Sequence, residues 1–263
     1  MKRLFLLFAF ASIISVASAW SRDVEEGIVL LATKHLSTEA KSVVVGYLGD
    51  TYEDDVRYLY LLEKQKTASH TEEIHYCHLN SEYKPLKVEG DDAVSAMEGV
   101  ANVVRNHKSH SDAEVVSALR TMITLVCDIH DLGKFRIDGI PHSQSDFKFY
   151  RRKSDIGAKR EILLPMKWST FWLSYAKRHV GFSGAFWAED MELNLGDRFA
   201  DYSKGSLYDW VAENGAKSAH YLSLYKPDSI MLLQESNELE EINYDMMLRA
   251  GCRLAALLNE TLK

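Results

Sequence analysis

The sequence has few of the residues that break helices or cross-link chains. It contains four prolines and three cysteines in 263 residues. A sparse, odd set of cysteines is not a disulfide framework, and Cys77, Cys127 and Cys252 each lie within an apolar stretch. The sequence therefore predicts three buried thiols, with one disulfide and one free thiol as the alternative.

Long apolar runs are also scarce, with one exception at the start of the chain. Lys2 and Arg3 precede an apolar run from Leu4 to Val16, and residues 17–19 follow it in an A-x-A pattern. A membrane span needs about 20 apolar residues, so the pattern predicts a signal peptide over residues 1–19, cleaved after Ala19. We expect an exported protein, periplasmic or secreted, with no membrane span.

Positive charge is in the minority. The formal net charge is −7, and removal of Lys2 and Arg3 takes it to −9. The overall field of an acidic protein does not steer it to nucleic acid, although a local basic groove is compatible with this charge. Residues 20–263 are long enough for one domain with a substantial core.

Strand patterns are weak, whereas helical periodicity covers most of the chain. Glu161 to Leu164 is the best strand candidate, as half of a small hairpin. Helix starts are indicated at Ser37, at Asp91 or Asp92, and at the Ser111–Glu114 capping box. Further helices are predicted over residues 168–178, 207–224 and 242–258. The fold class is therefore all-α, a single compact multi-helix domain with at most a small β-hairpin.

Several short segments resemble the S-one/P-one nuclease family and occur in the family's order. The chain ends in AGCRLAALLN, which is similar to the family's closing A-G-x-R-L-A-x-x-L-N helix. Cleavage after Ala19 would expose Trp20, and family members begin with a tryptophan whose amine and carbonyl bind zinc. Residues 74–76 resemble a W-H-Y-type segment, residues 118–130 the central A-L-x-x-L-x-H-x-x-G-D-x-H helix, and residues 152–157 the R-x-S-D-x-G-G-N turn.

The resemblance implies the phospholipase C and P-one nuclease type of fold, with a trinuclear zinc site. That site hydrolyses phosphodiester bonds of single-stranded nucleic acid and acts as a 3′-nucleotidase, because three cations bind phosphate oxygens, ionise a water and stabilise the leaving oxyanion. The metal ligands carried over are Trp20, Glu25 in place of a histidine, His75 and Asp128. Asp128 matches the bridging aspartate and is the catalytic candidate.

Several of the family's ligand positions hold other residues here. Thr124 stands where a histidine would share the helical face of Asp128, Lys134 stands where a later histidine is expected, and the H-x-x-W-D motif falls on residues 169–173, where Trp172 alone is kept. Candidate substitute ligands are His78, His130 and His142. We therefore expect at most one bound zinc, lost or reduced nuclease activity, and single-stranded nucleic acid or a nucleotide as the implied partner.

Two alternative functions fit parts of the sequence. A non-catalytic protein on the same fold would bind a nucleotide, a phosphate, a lipid headgroup or a protein, and the aromatic residues between 168 and 187 would stack on bases or fill the core. Residues 130–134, HDLGK, also resemble the H-D-x-G-K core of metal-dependent HD phosphohydrolases. We expect His130 and Asp131 not to form a metal pair, because His130 diverges from Asp128 around the helix.

Overall fold

The computed structural model describes residues 20–48, 72–86, 92–143, 148–155, 160–168, 171–172 and 182–263. The predicted signal peptide lies outside these residues. The α-helices bounded within them are α1, Arg22–Lys34; α2, Thr38–Leu48; α3, Ala93–Arg105; α4, Asp112–His130; α5, Gly184–Leu195; α6, Phe199–Tyr202; α7, Leu207–Leu224; and α8, Leu233–Thr261. The chain is thus mostly helical, as predicted.

Two small sheets accompany the helices in the described residues. Strand β1, Cys77–Leu79, pairs in parallel with β2, Phe135–Ile137. Strands β3, Lys148–Asp155, and β4, Arg160–Lys167, form an antiparallel hairpin, and β5, Ile230–Met231, adds to β3 in parallel. The predicted hairpin is present, but the expectation of at most one hairpin is wrong. The extra strands are two or three residues long and pair with distant segments, so no local periodicity reveals them.

Local cap signals set several helix starts where they were predicted. The Asp92 side chain accepts from Ser95 N, and the Ser111 capping box is formed. Helix α7 has the predicted bounds. Helix α8 begins at Leu233, whereas the sequence predicted a start near Ile242. The first turns of the helix are polar and lack an apolar stripe, so the apolar periodicity did not reveal them.

Helix α8 packs on α1 and α4 in the centre of the core. Two asparagines on α8, the buried Asn243 and the half-buried Asn259, form hydrogen bonds with residues just before and just after α1. Asn243 accepts from Trp20 Nε1 at 2.8 Å and donates to the Trp172 carbonyl at 2.8 Å. Asn259 accepts from Ser37 N at 2.7 Å and donates to the His35 carbonyl at 3.0 Å. Helix α8 therefore binds Trp20 through Asn243, and the closing segment at its end binds His35 and Ser37 through Asn259.

Helix α7 holds the carboxyl end of α4. The Asn214 amide donates to the Ile129 carbonyl at 2.8 Å, and the Ser218 hydroxyl donates to the Leu132 carbonyl at 2.7 Å. Helix ends leave carbonyl groups without helical partners, so these two side chains stabilise the turn that follows α4. That turn carries Asp131 and Lys134, two residues of the candidate site.

Other predictions concern the cysteines, the aromatic residues and the membrane. All three cysteines are buried thiols that form no disulfide, which confirms the first interpretation. Of the aromatic residues between 168 and 187 that were expected either to fill the core or to stack on bases, Trp168, Phe171, Trp172 and Trp187 are buried in the core, whereas Phe186 is exposed.

None of the helices in the described ranges has both the length and the apolar character that crossing a bilayer requires.

Candidate functional site

The end of α4 brings together two of the predicted ligands. His75 ends the 3₁₀ turn Glu72–His75, and its Nδ1 lies 2.7 Å from Oδ2 of Asp128. The two residues are 5% and 1% exposed. The second carboxylate oxygen of Asp128, Oδ1, is buried and has no hydrogen-bond partner among the described residues.

The start of α1 brings together the other two. The backbone nitrogen of Trp20 donates to Oε1 of Glu25 at 3.1 Å, and both residues are buried. The contact spans the first turn of α1, where Ser21 is the residue before the helix. The positive end of the helix dipole also stabilises a carboxylate at this position.

Asp131 is a further buried acid at the end of α4. It follows α4, its Oδ1 accepts from Gly133 N at 2.8 Å, and its Oδ2 is buried without a hydrogen-bond partner among the described residues. Burial raises the pKa of Asp131 to about 8; Lys134 opposes this shift, while Asp128 and Glu25 add to it. One acid from each predicted pair therefore influences the Asp131 carboxyl group.

Lys134 is a buried cationic residue of this region. It ends the 3₁₀ turn Leu132–Lys134 and is 3% exposed. Its Nζ lies 4.9 Å from the centroid of the Tyr76 ring, and the guanidinium carbon of Arg136 lies 3.8 Å from the same centroid. These are cation–π distances, and they place Lys134 beside the residue that follows His75.

The candidate substitute ligand His130 is engaged elsewhere. Its Nδ1 donates to the Val126 carbonyl at 2.8 Å, and its Nε2 accepts from Arg253 at 3.1 Å. Burial, followed by the charge of Arg253, lowers the pKa of His130 well below its ordinary value. Both ring nitrogens are thus used within the protein, and His130 and Asp131 contact different groups.

The remaining candidate positions lie in several parts of the chain, and the structure describes some of them only in part. His78 is half-buried on β1, between buried Cys77 and Leu79, so it points to the opposite side of the strand from them. His142 lies in the turn Pro141–Ser143, and its side chain is outside the described part. Thr124 is half-buried one turn before Asp128, while residues 169–170 and 173 lie outside the described residues.

Among the described residues, Trp20, Glu25, His75 and Asp128 form two separate pairs. Zinc sites in proteins usually have three or four protein ligands around one metal. Among the described residues, no group of three or more His, Cys, Asp or Glu side chains is placed to hold a metal ion. Trp20–Glu25 and His75–Asp128 are two internally bonded pairs, so the described residues do not fit the trinuclear zinc centre that the resemblance implies.

Asp131 and Lys134 are the site residues that sequence reasoning missed. In the sequence, Asp131 stands out only as half of an HD motif, and Lys134 only as the replacement of a histidine. A carboxyl and an ammonium group three residues apart are ordinary on a protein surface, and only their burial makes them exceptional. The HDLGK segment itself was the available signal.

A groove lies beside the site, between α3 and α4. It has a volume of about 460 Å³, and its walls include Ile74, which precedes His75, and small residues such as Ser95, Gly99, Ser117 and Thr121. Small side chains leave room for a ligand without a change in the backbone. The groove is therefore one part of the described surface that suits a small bound molecule.

Comparison of the chain with protein-family models and with curated proteins gives no match. The function proposed below therefore rests on the residues of the candidate site and on their geometry.

Proposed function

We propose that this chain is an exported, S-one/P-one nuclease-like protein in which zinc-dependent phosphodiester hydrolysis is lost or strongly reduced. The observation that carries the proposal is that Trp20 and Glu25 form one buried contact and His75 and Asp128 another, while the charges of Asp128 and Glu25 both act on the buried Asp131 carboxyl group. These residues come from three separate segments and were selected by the resemblance alone. Buried ionisable groups are rare, so their burial and pairing at these positions support the family register.

Reduced nuclease activity is expected because the described residues provide too few metal ligands. A metal centre of this kind would supply an ionised water and cations for the phosphate and leaving oxygens. The described residues provide a histidine oriented by an aspartate and a carboxylate bonded to the Trp20 nitrogen, but no third donor for either pair. Each tenfold in rate corresponds to about 1.4 kcal/mol of transition-state stabilisation, so the loss of cations should lower the rate by several powers of ten.

The test combines metal content with activity. Protein that begins at Trp20 is prepared with added zinc, its zinc content is measured by mass spectrometry, and hydrolysis of single-stranded DNA and of a 3′-nucleotide is assayed. We expect at most one zinc per chain and no cleavage above that of the Asp128→Ala variant. Three zinc ions per chain, or zinc-dependent cleavage that Asp128→Ala abolishes, would show that the family activity is retained.

Export is tested separately. We propose that residues 1–19 are removed, because their pattern has a basic start, an apolar run and an A-x-A site. N-terminal sequencing of protein exported by a bacterial host should begin at Trp20. A different first residue would remove the one predicted ligand that depends on processing.

The groove between α3 and α4 favours a second candidate function, the binding of a small molecule without catalysis. Its volume suits a nucleotide or a phosphorylated headgroup. Nucleoside monophosphates should raise the thermal midpoint of the wild-type protein but not that of Gly99→Leu, which would fill the groove at a position where an added Cβ meets nothing within 4 Å. Equal midpoints with and without nucleotide for the wild type would exclude this ligand class.

A further inference from the structure

The sheet of β4, β3 and β5 has one side in the core and one side in solvent. Phe149 and Met231 are buried, whereas their neighbours Tyr150 and Ile230 are half-buried and exposed. Successive side chains of a strand point to opposite sides of a sheet, and strand pairing aligns Tyr150 with Pro165 and with Ile230. The solvent side, the outer face, carries Lys148, Tyr150, Leu163, Pro165, Lys167 and Ile230.

Much of the outer face is apolar, whereas the solvent side of an antiparallel sheet is commonly polar. Leu163 is 47% exposed and Ile230 is 45% exposed, and Pro165 is exposed as well. Tyr150 lies between Pro165 and Ile230 in the strand pairing. Leu232, two residues after Ile230, is 48% exposed. Adjacent exposed apolar side chains of this kind mark a surface that contacts a partner or a membrane.

Two lysines stand opposite each other at one end of the outer face. Lys148 pairs directly with Lys167 in the antiparallel register, and both side chains are exposed. Like charges directly opposite each other on a sheet repel, so an anion that contacts both ammonium groups would stabilise the pair. The exposed Lys226 begins a turn in which the Asp228 nitrogen donates to the Lys148 carbonyl at 2.8 Å.

Acidic residues near the outer face offset only part of this positive charge. Asp228 is exposed in the same turn as Lys226 and balances one of the three lysines. Glu235 accepts from Leu232 N at 2.6 Å, so its carboxylate is held at the start of α8. Positive charge therefore borders the apolar part of the outer face at the end where Lys148 lies.

The size and the edge of this sheet argue against a protein partner. The exposed apolar side chains present on the order of 400 Å², whereas a stable dimer buries about 800 Å² of each partner. Strand β4 is at the edge of the sheet, and Pro165 within it has no N–H to donate. Proline on an edge strand disfavours the addition of a further strand. A lipid surface requires neither a larger area nor backbone hydrogen bonds.

We propose that the outer face docks on an anionic phospholipid surface, where Leu163 and Ile230 enter the interfacial layer and the opposed lysines contact lipid phosphates. Apolar side chains lose contact with water at such an interface, and lysines extend their ammonium groups to the headgroups. The protein as a whole is acidic, so an anionic surface attracts it only through a local basic region of this kind. The docking surface includes no residue of the candidate site and goes beyond the proposed function.

The experiment measures cosedimentation with vesicles of phosphatidylcholine alone and of phosphatidylcholine mixed with phosphatidylglycerol. Protein that begins at Trp20 is used, so that the apolar run ahead of it does not bind lipid itself. Lys148→Gln combined with Lys167→Gln tests the charges. Lys84→Gln combined with Lys108→Gln is the matched control, because it makes the same change in net charge at exposed lysines elsewhere.

Single substitutions test the apolar contacts. Leu163→Ser and Ile230→Ser each remove one apolar side chain from the outer face. Leu193→Ser is the matched control, at a leucine on α5 that is 83% exposed. Circular dichroism and the thermal midpoint show whether each variant is folded.

We expect the wild type to bind the mixed vesicles about tenfold or more tightly than phosphatidylcholine alone, and added salt should weaken this binding. The double lysine variant should bind about 30-fold more weakly, because each lysine near an anionic surface contributes about fivefold. Leu163→Ser and Ile230→Ser should each weaken binding about fivefold. Both controls should bind within about twofold of the wild type.

Hydrogen exchange of the wild type locates the contact without any substitution. Mixed vesicles should slow exchange in β4, in β5 and in the turn at residues 226–229. Protection confined to other segments would overturn the proposal, as would absence of binding to mixed vesicles or equal binding by the wild type and the folded variants of the outer face.

Sedimentation velocity without lipid tests the remaining occupant, a second copy of the chain. Self-association that Ile230→Ser abolishes, together with no vesicle binding, would assign the outer face to a dimer and overturn the proposal. These measurements use neither metal nor nucleic acid, so the proposed function and this inference can fail separately.

Discussion

At the scale of single residues, the His75–Asp128 pair is the clearest feature of the site. The imidazole nitrogen and the carboxylate oxygen are 2.7 Å apart, and both side chains are buried. Asp128 has one oxygen without a hydrogen-bond partner among the described residues even with His75 in place. The pair is therefore sensitive to the loss of either member.

His75→Ala should lower the free energy of unfolding by about 3 kcal/mol, because it leaves a buried carboxylate without its partner. Urea unfolding at pH 7 measures the effect, and His220→Ala, at an exposed histidine, is the control. Asp128→Asn keeps an acceptor for His75 and should cost less than His75→Ala. A cost for His75→Ala no larger than that of the control would contradict a stabilising role for the pair.

Glu213 gives a prediction for pH. Burial alone would raise its pKa, but hydrogen bonds from Lys217 and Arg253 lower it from an ordinary value of 4.5 to about 2. The unfolded chain therefore binds a proton in this range that the folded protein does not. The stability that Glu213 contributes is present above pH 4.5 and is lost as the pH falls from about 4.5 to about 2.

Glu213→Gln should be less stable than the wild type at pH 7 and should lose stability less steeply between pH 4.5 and 2. Because the side chain is 34% exposed, solvent screening reduces the effect. Urea midpoints at a series of pH values test this, with Glu241→Gln as the control at an exposed position on α8. A slope for Glu213→Gln equal to that of the wild type would contradict the assignment.

At the scale of elements, close contact between α1 and α5 depends on a glycine. A Cβ at Gly27 would lie 2.5 Å from Trp187 Cβ and 3.2 Å from the Gly184 carbonyl oxygen. Trp187 Cβ is next to the backbone, so it cannot move unless α5 moves. In α3, by contrast, a Cβ at Gly99 would meet nothing within 4 Å.

The two glycines should respond to the same substitution with opposite signs. Gly27→Ala should destabilise by about 1–3 kcal/mol through overpacking, whereas Gly99→Ala should stabilise by about 0.5–1 kcal/mol because alanine has the better helix propensity. Urea unfolding of the two variants and of the wild type measures these differences in the free energy of unfolding. If Gly27→Ala were stabilising as well, α1 and α5 would not be packed as closely as described.

The elements that the sequence predicted well are those with local signals. Capping by Asp92 and Ser111 depends on residues three positions apart, and both caps are formed. Strands β1 and β2 are 58 residues apart in register, and their three-residue lengths carry no readable period. Helix α5 was not predicted, because Phe186 and Leu193 are apolar but exposed and so blur its apolar stripe.

At the scale of the whole molecule, the candidate site depends on distant segments. The family order of the sequence segments predicts that Glu25, His75 and Asp128 lie together. In the fold His75 and Asp128 are in contact, and the charge of Glu25 acts on Asp131, which follows the helix of Asp128. The sequence could not show that Lys134 and Asp131 are buried there, because their burial depends on the packing of α7 against the end of α4. The residue types at positions 131 and 134 could be read from the sequence, whereas the burial of their side chains could not.

The last prediction concerns processing of the chain. The Trp20 nitrogen lies 3.1 Å from Glu25 Oε1 within the core. In an unprocessed chain that nitrogen is a neutral amide, whereas cleavage after Ala19 would convert it to an amine that is largely protonated at pH 7. A hydrogen bond between charged groups stabilises more than one from a neutral donor, so cleavage should strengthen this contact.

Protein that begins at Trp20 should therefore be about 1 kcal/mol more stable than protein that retains residues 17–19. Glu25→Gln keeps an oxygen acceptor but removes the negative charge, so in that background the two forms should have nearly equal stability. Urea unfolding of the four proteins, with a chelator present so that metal binding adds nothing, completes a double-mutant cycle. The same stability difference in both backgrounds would show that the amine and Glu25 do not interact, and that the first turn of α1 gains nothing from processing.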